Sequence, residues 1–160
     1  MKLKNLILLF PIFVLSCASA PGTYKSEIYA KLPNSRVFEE EYSVVWKGIL
    51  KALEVYKLEK VEEEDGIAST DWVYSTSNER FLEYRVNGLP RRKYLQSRYK
   101  YTVTAEKQMA GVKVIVNTEE ESEYLKPDGS FDLWKAVETE TNKSNELLRN
   151  IELKILSRPI

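Results

Sequence analysis

The stretch that most constrains this fold runs from Lys93 to Tyr124, where polar and apolar residues alternate on both sides of Gln108-Met109-Ala110-Gly111. A period of two is the signature of a half-buried strand. Two such runs about a short turn containing Gly predict an antiparallel hairpin. A turn at Met109-Ala110 sets Glu106 against Lys113, Lys100 against Glu119 and Arg98 against Glu121. On the other face it sets Val103 against Val116 and Ala105 against Val114, beside Tyr99 and Tyr101. A slip of one residue would put charges against apolar groups and turn both to the wrong side. One face therefore meets water and the other seats helices, which accounts for much of the charge pattern without a substrate.

Helical periodicity appears before and after this hairpin. Phe38, Tyr42, Val45, Trp46, Ile49 and Leu53 form an apolar stripe at steps of three and four. It predicts a helix over Phe38–Leu58, with Glu39, Glu40 and Glu41 at the positive end of its dipole. Trp46 in mid-stripe is placed to seat the helix on a sheet, and the same position would also suit a ligand groove. A strand over Lys57–Glu62, a turn at Glu64-Asp65-Gly66 and a strand over Ile67–Tyr74 make a first hairpin. The acidic run Glu62–Asp65 matches no calcium-loop spacing and reads as a solvated turn. Asn78–Arg91 is expected to be a long loop, and Phe131–Val137 a short helical or irregular segment. A last helix over Ser144–Leu156 carries Leu147, Leu148, Ile151 and Ile155 on one stripe, with Ser144 as its N-cap. The predicted order is α-β-β-β-β-α, an α+β fold in two layers with helices on one face of an antiparallel sheet.

Composition excludes several function classes. The chain of 160 residues is the size of one domain, and 43% hydrophobic content is enough for a core. With 24 basic and 24 acidic residues, no strong field draws it to a polyanion, so nucleic acid is not an expected partner. There is no His and one Cys. An internal Ser-His-Asp or Cys-His site, a His-ligated metal and an internal disulfide are therefore ruled out. Carboxylates such as Asp71 or Glu83 would have to carry any acid–base chemistry, and no pair stands at a meaningful spacing. The expectation is a protein that is not an enzyme, with no cofactor and no metal.

The N-terminus has the layout of a secretory signal. Lys2 and Lys4 precede the apolar run from Leu6 to Leu15, and Ser16 then supplies a small residue before Cys17. The run is too short to span a bilayer, which takes about 20 apolar residues, and Pro11 interrupts it. Val14-Leu15-Ser16-Cys17 resembles the lipobox of bacterial lipoproteins, with Val14 where Leu is commonest. The resemblance implies cleavage before Cys17, diacylglycerol on its thiol, an acylated (palmitate-type) amino terminus, and membrane attachment through these chains. Ala18 in place of Asp after the Cys leans, by the same resemblance, toward the outer membrane with the domain facing the periplasm. The expected organisation is a signal peptide over 1–16, a lipidated Cys and tether over 17–35, and one α+β domain over 36–160. Arg91-Arg92-Lys93, after Pro90, reads as a solvated strand end, with lipid phosphates as its other partner class.

Val45-Trp46-Lys47-Gly48-Ile49-Leu50-Lys51-Ala52-Leu53 followed by Glu64-Asp65-Gly66-Ile67-Ala68-Ser69-Thr70-Asp71-Trp72 resembles the helix-grip domains of BamC/NlpB-type lipoproteins. That resemblance implies a helix-grip-like sheet and a non-catalytic accessory in the assembly of outer-membrane proteins. It brings no catalytic residue. The expected function is thus a lipid-anchored envelope scaffold that binds another envelope protein, with the barrel-assembly complex as the partner implied. The alternative is a periplasmic carrier or sensor holding a hydrophobic ligand between helix and sheet. For either function the candidate contact residues are Trp46, Trp72, Tyr99, Tyr101 and Trp134. Cys17→Ser should move the protein from the membrane to the soluble fraction; retention of a normally processed variant in the membrane would exclude the anchor.

Overall fold

The computed structural model describes residues 22–27, 32–140 and 142–157. Cys17 and the segment 1–16 lie outside the described residues. In chain order the elements are β1 (Thr23–Ser26), β2 (Ser35–Phe38), α1 (Tyr42–Leu53), β3 (Leu58–Glu62), β4 (Ile67–Thr70) and β5 (Val73–Val86). They continue with β6 (Leu89–Gln108), β7 (Gly111–Leu125), β8 (Phe131–Val137) and α2 (Lys143–Leu156). All strands pair antiparallel in one eight-stranded sheet. Strands take 56% of the described residues and helices 20%, so the α-β-β-β-β-α order and its four-stranded, helix-grip-like layer do not stand.

The long β6–β7 hairpin is the centre of the sheet, in the register expected from its charges: Arg98 opposite Glu121, Lys100 opposite Glu119, Val103 opposite Val116. Along the other side of β6, β4 and β5 follow one another, separated by a break at Asp71-Trp72. The sheet consequently has two ends. Across one the order is β3-β4-β6-β7-β2, and across the other β1-β5-β6-β7-β8.

Four segments depart from expectation, each for a local reason, and α2 begins at Lys143, so that Ser144 lies inside the helix and is not its N-cap. Phe38 belongs to β2, opposite Val112; it reaches the core from a strand, and the helix starts only after Glu39-Glu40-Glu41. Thr23–Ser26, read as tether, is β1 on the edge of β5. Asn78–Arg91 is no loop. Asn87 and Gly88 both take positive φ, 51° and 78°, the pair of left-handed residues that closes a two-residue hairpin. Phe131–Val137 is a strand, β8, on the edge of β7. Apolar residues at both 131 and 134 hid its period of two.

Both helices cover the same end of the sheet. Val45, Trp46, Ile49 and Leu53 of α1 and Leu147, Leu148, Ile151 and Ile155 of α2 pack with Val103, Ala105, Val112, Val114 and Val116 in one core. Fully burying each such side chain contributes about 1.5–3 kcal/mol. The helices pack tightly at Gly48, where a Cβ would stand 2.5 Å from Cγ1 of Ile155. Gly48→Leu should cost about 1–3 kcal/mol through overpacking. In combination with Ile155→Ala the total should fall short of the sum of the two single losses by at least about 0.5 kcal/mol, measured by urea unfolding.

Candidate functional site

The five expected contact residues do not come together. Trp46 is 2% exposed in the core, its ring nearly parallel to Tyr42 at 6.2 Å. Its indole N–H has no acceptor among the described residues. The space between helix and sheet is filled by such side chains. Tyr99 and Tyr101 reach the margin of this core on the helix-bearing face, while Trp72 and Trp134 lie on the opposite face of the sheet. The structure thus offers two candidate sites, one on each face.

The first is a cavity of about 560 Å³ where the start of α2 and the end of α1 meet the sheet. Tyr56, Tyr99 and Tyr101 form one wall, and Glu79, Glu140, Lys143 and Glu146 bring charge to the rest. The Tyr99 and Tyr101 rings meet edge-on at 5.1 Å, and Tyr56 meets Tyr101 at 5.6 Å. Burial, followed by the nearby Tyr56 hydroxyl, pushes the Tyr99 phenol up to about 12. Burial and the Tyr99 hydroxyl raise Tyr101 further still. These phenols therefore stay neutral and act as hydrogen-bonding groups at ordinary pH.

Beneath the cavity lies a charged cluster that sequence reasoning missed. The Glu120 side chain is 0% exposed and accepts from Arg80 at 3.1 Å and Lys143 at 3.2 Å. Lys143 also donates to Glu140 at 2.6 Å and sits over the Tyr99 ring, 5.0 Å from its centroid. Glu140 accepts from the Ser77 hydroxyl and from the Asn78 N–H, and its own N–H donates to Glu120 at 2.8 Å. Burial pushes the Glu140 carboxyl up, but Lys143, Ser77 and Asn78 together outweigh it and hold it below its ordinary value. Two carboxylates matched by two cations in this way form a structural cluster. The one available hint was Glu120, whose even number placed it on the apolar side of β7.

The second site is on the outer face. The Arg98 guanidinium lies 4.6 Å from the Trp72 ring centroid and 5.0 Å from that of Trp134, and Glu121 accepts its hydrogen bond at 2.6 Å. The Lys100 ammonium also lies over the Trp72 ring, 5.5 Å from its centroid. Tyr74 meets Trp134 edge-on at 5.9 Å, and Phe131 lies 5.5 Å from Trp134. Tyr74 is 66% exposed and Phe131 48%. Beside them β8 pairs only with β7 among the described residues, so its other edge offers unpaired backbone groups.

The carboxylates considered for catalysis are committed elsewhere. A hydrogen bond from Lys57, followed by one from the Trp72 N–H, holds Asp71 below its ordinary value. A hydrogen bond from Lys25 does the same for Glu83. Neither is the raised-pKa acid that general-acid chemistry uses. No group of metal-ligating side chains occurs among the described residues. No protein-family model matches this chain, and no curated protein matches it.

Glu120→Ala should destabilise the fold by about 3–5 kcal/mol, since it strands Arg80 and Lys143 without their shared carboxylate. The stability due to Glu140 is complete above the ordinary carboxyl value of 4.5 and is lost as pH falls through the depressed one. Glu140→Gln should therefore flatten the acid limb of stability against pH below 4.5, read by urea unfolding at a series of pH values.

Proposed function

We propose that this protein is a lipid-anchored, non-catalytic adaptor of the bacterial envelope, attached through acyl chains on Cys17 and binding another envelope protein through its outer sheet face. The observation that carries the proposal is Arg98 held between the half-buried rings of Trp72 and Trp134, beside the exposed Tyr74 and Phe131. Trp, Tyr and Arg are the residue types in which binding energy concentrates at protein interfaces. Here they are preassembled, so little side-chain freedom remains to be lost on binding. The unpaired edge of β8 adds a backbone template for a partner strand.

The lipobox-like Val14-Leu15-Ser16-Cys17 supports attachment to a membrane, and with Ala18 favours the outer membrane with the domain in the periplasm. The barrel-assembly machinery is the partner class suggested by the Trp46 and Asp65-Gly66-Ile67 motifs alone, since the element order differs from the helix-grip pattern. A carrier role gains one observation of its own. An apolar cleft of about 280 Å³, lined by Tyr24, Leu95, Tyr124 and Val137, lies on the helix-bearing face beyond the helices.

A photo-crosslinking residue placed at Tyr74 or Phe131 in the native envelope should capture a stoichiometric protein partner, and one placed at Val55 on the end of α1 should not. Trp134→Ala should weaken that complex by about 2 kcal/mol or more, roughly 30-fold. Equal capture from all three positions, or recovery of a lipid with no protein, would overturn the adaptor and move the site to the apolar cleft.

A further inference from the structure

The free end of the β5–β6 hairpin has no part in the core, the cavity or the outer aromatic face. Beyond Glu83 it pairs with no other strand among the described residues: Tyr84 faces Arg91, Arg85 faces Pro90, and Val86 faces Leu89 across the Asn87-Gly88 turn. Directly opposed residues share a face of the ribbon. One face therefore carries Tyr84, Val86, Leu89, Arg91 and Lys93, and the other Arg85, Arg92 and Tyr94. The apolar members are exposed, Val86 at 45% and Leu89 at 60%. Arg85, Arg91 and Lys93 make no ion pair among the described residues, whereas Arg92 lies over the Phe81 ring at 4.3 Å and pairs with Glu27 at 3.0 Å. Glu83, the only carboxylate between 83 and 94, is neutralised by Lys25 at 2.6 Å.

We propose that this hairpin is a membrane-docking arm that seats its Val86-Leu89 tip among the headgroups of an anionic phospholipid bilayer, with its cations on the lipid phosphates. The proposal rests on the anchor at Cys17 and deepens it. Charge complementarity selects the occupant: a tip with two aliphatic side chains, two tyrosines nearby and a collar of cations matches the interfacial layer, where apolar and anionic groups lie within a few ångströms of each other. Strand direction supplies the second argument. Reading β1 backwards from Ser26 to Thr23 moves along β5 from Arg80 to Glu83, toward the tip. Cys17 is five residues before Gly22, a span of at most about 17 Å. The tip lies about 10–13 Å beyond Glu83 at the rise of a strand. A bilayer holding acyl chains on Cys17 is therefore within reach of the tip.

The test uses the full-length acylated protein in vesicles of phosphatidylcholine with and without 30% phosphatidylglycerol. Leu89→Cys provides one free thiol for an environment-sensitive dye, because an acylated Cys17 cannot react; Val55→Cys is the control. The dye at 89 should lose contact with water and be quenched by lipid-borne quenchers in the anionic vesicles, while the dye at 55 should not. Each cation near an anionic surface raises partitioning roughly fivefold. Combining Arg91→Glu with Lys93→Glu should accordingly lower the ratio of inserted to free tip by about tenfold or more. A dye at 89 as hydrated as the one at 55, or insertion indifferent to phosphatidylglycerol, would overturn the arm. Two dyes per chain and no stable attachment to vesicles would show instead that Cys17 is not acylated. The arm is then decided by flotation of that same chain: salt-sensitive flotation with anionic vesicles sustains it, and its absence overturns it.

Discussion

Twelve residue pairs join β6 to β7, and their register distributes the rest of the molecule. With Val103 against Val116 and Ala105 against Val114 on one face, the apolar stripes of α1 and α2 have a single surface on which to settle. With Arg98 against Glu121 on the other, the guanidinium is fixed where Trp72 and Trp134 can close around it. A shift by one residue would bury Arg98 and Lys100 and expose the valines, losing the core and the aromatic face together. Every other strand joins this hairpin directly or through β4 or β5.

The two long strands outrun the helices, and the sheet must change character where the helices stop. The change occurs at the start of α2. Toward one end the helix-bearing face is Val103, Val114 and Val116; next come Tyr99 and Tyr101; next come Glu120, Glu140, Arg80 and Lys143. Burying these charges is tolerable because each carboxylate meets a cation and additional donors. The cluster also ties β5, β7 and the approach to α2 together at one point, through Arg80, Glu120 and Glu140. Cavity and cluster thus have the same origin: helices shorter than the sheet they cover.

What the sequence disclosed follows how far each signal depends on local pattern. The β6–β7 register was legible because alternating charges and a turn state it twice, and the buried face of α2 was legible from Leu147, Leu148, Ile151 and Ile155. The edges were not. β1 and β2 are four residues each, too short for a period to show, and exist because β5 and β7 offer them a partner. The Asn87-Gly88 turn was a readable hairpin sign, obscured because Tyr84 to Lys93 lacks a buried face and so lacks clean alternation. Among the candidate contacts, Trp46 obeyed its stripe and became core. The meeting of Trp72 and Trp134 at Arg98 could not be foreseen, because it depends on β8 lying beside β7, a contact across the sheet that no spacing encodes.

The short strand β1 also has a mechanical meaning. Any pull on the chain before Gly22 enters the domain through Thr23–Ser26, which is clamped along the edge of β5 and tied by Lys25 to Glu83 and by Tyr24 to the backbone of Leu125. A pull from the tip end of the hairpin runs along the strand axis. It loads the hydrogen bonds of β1 together in shear instead of opening them one after another. Under such a load the domain would resist as a unit up to a threshold, and β1 would be the first element to slip.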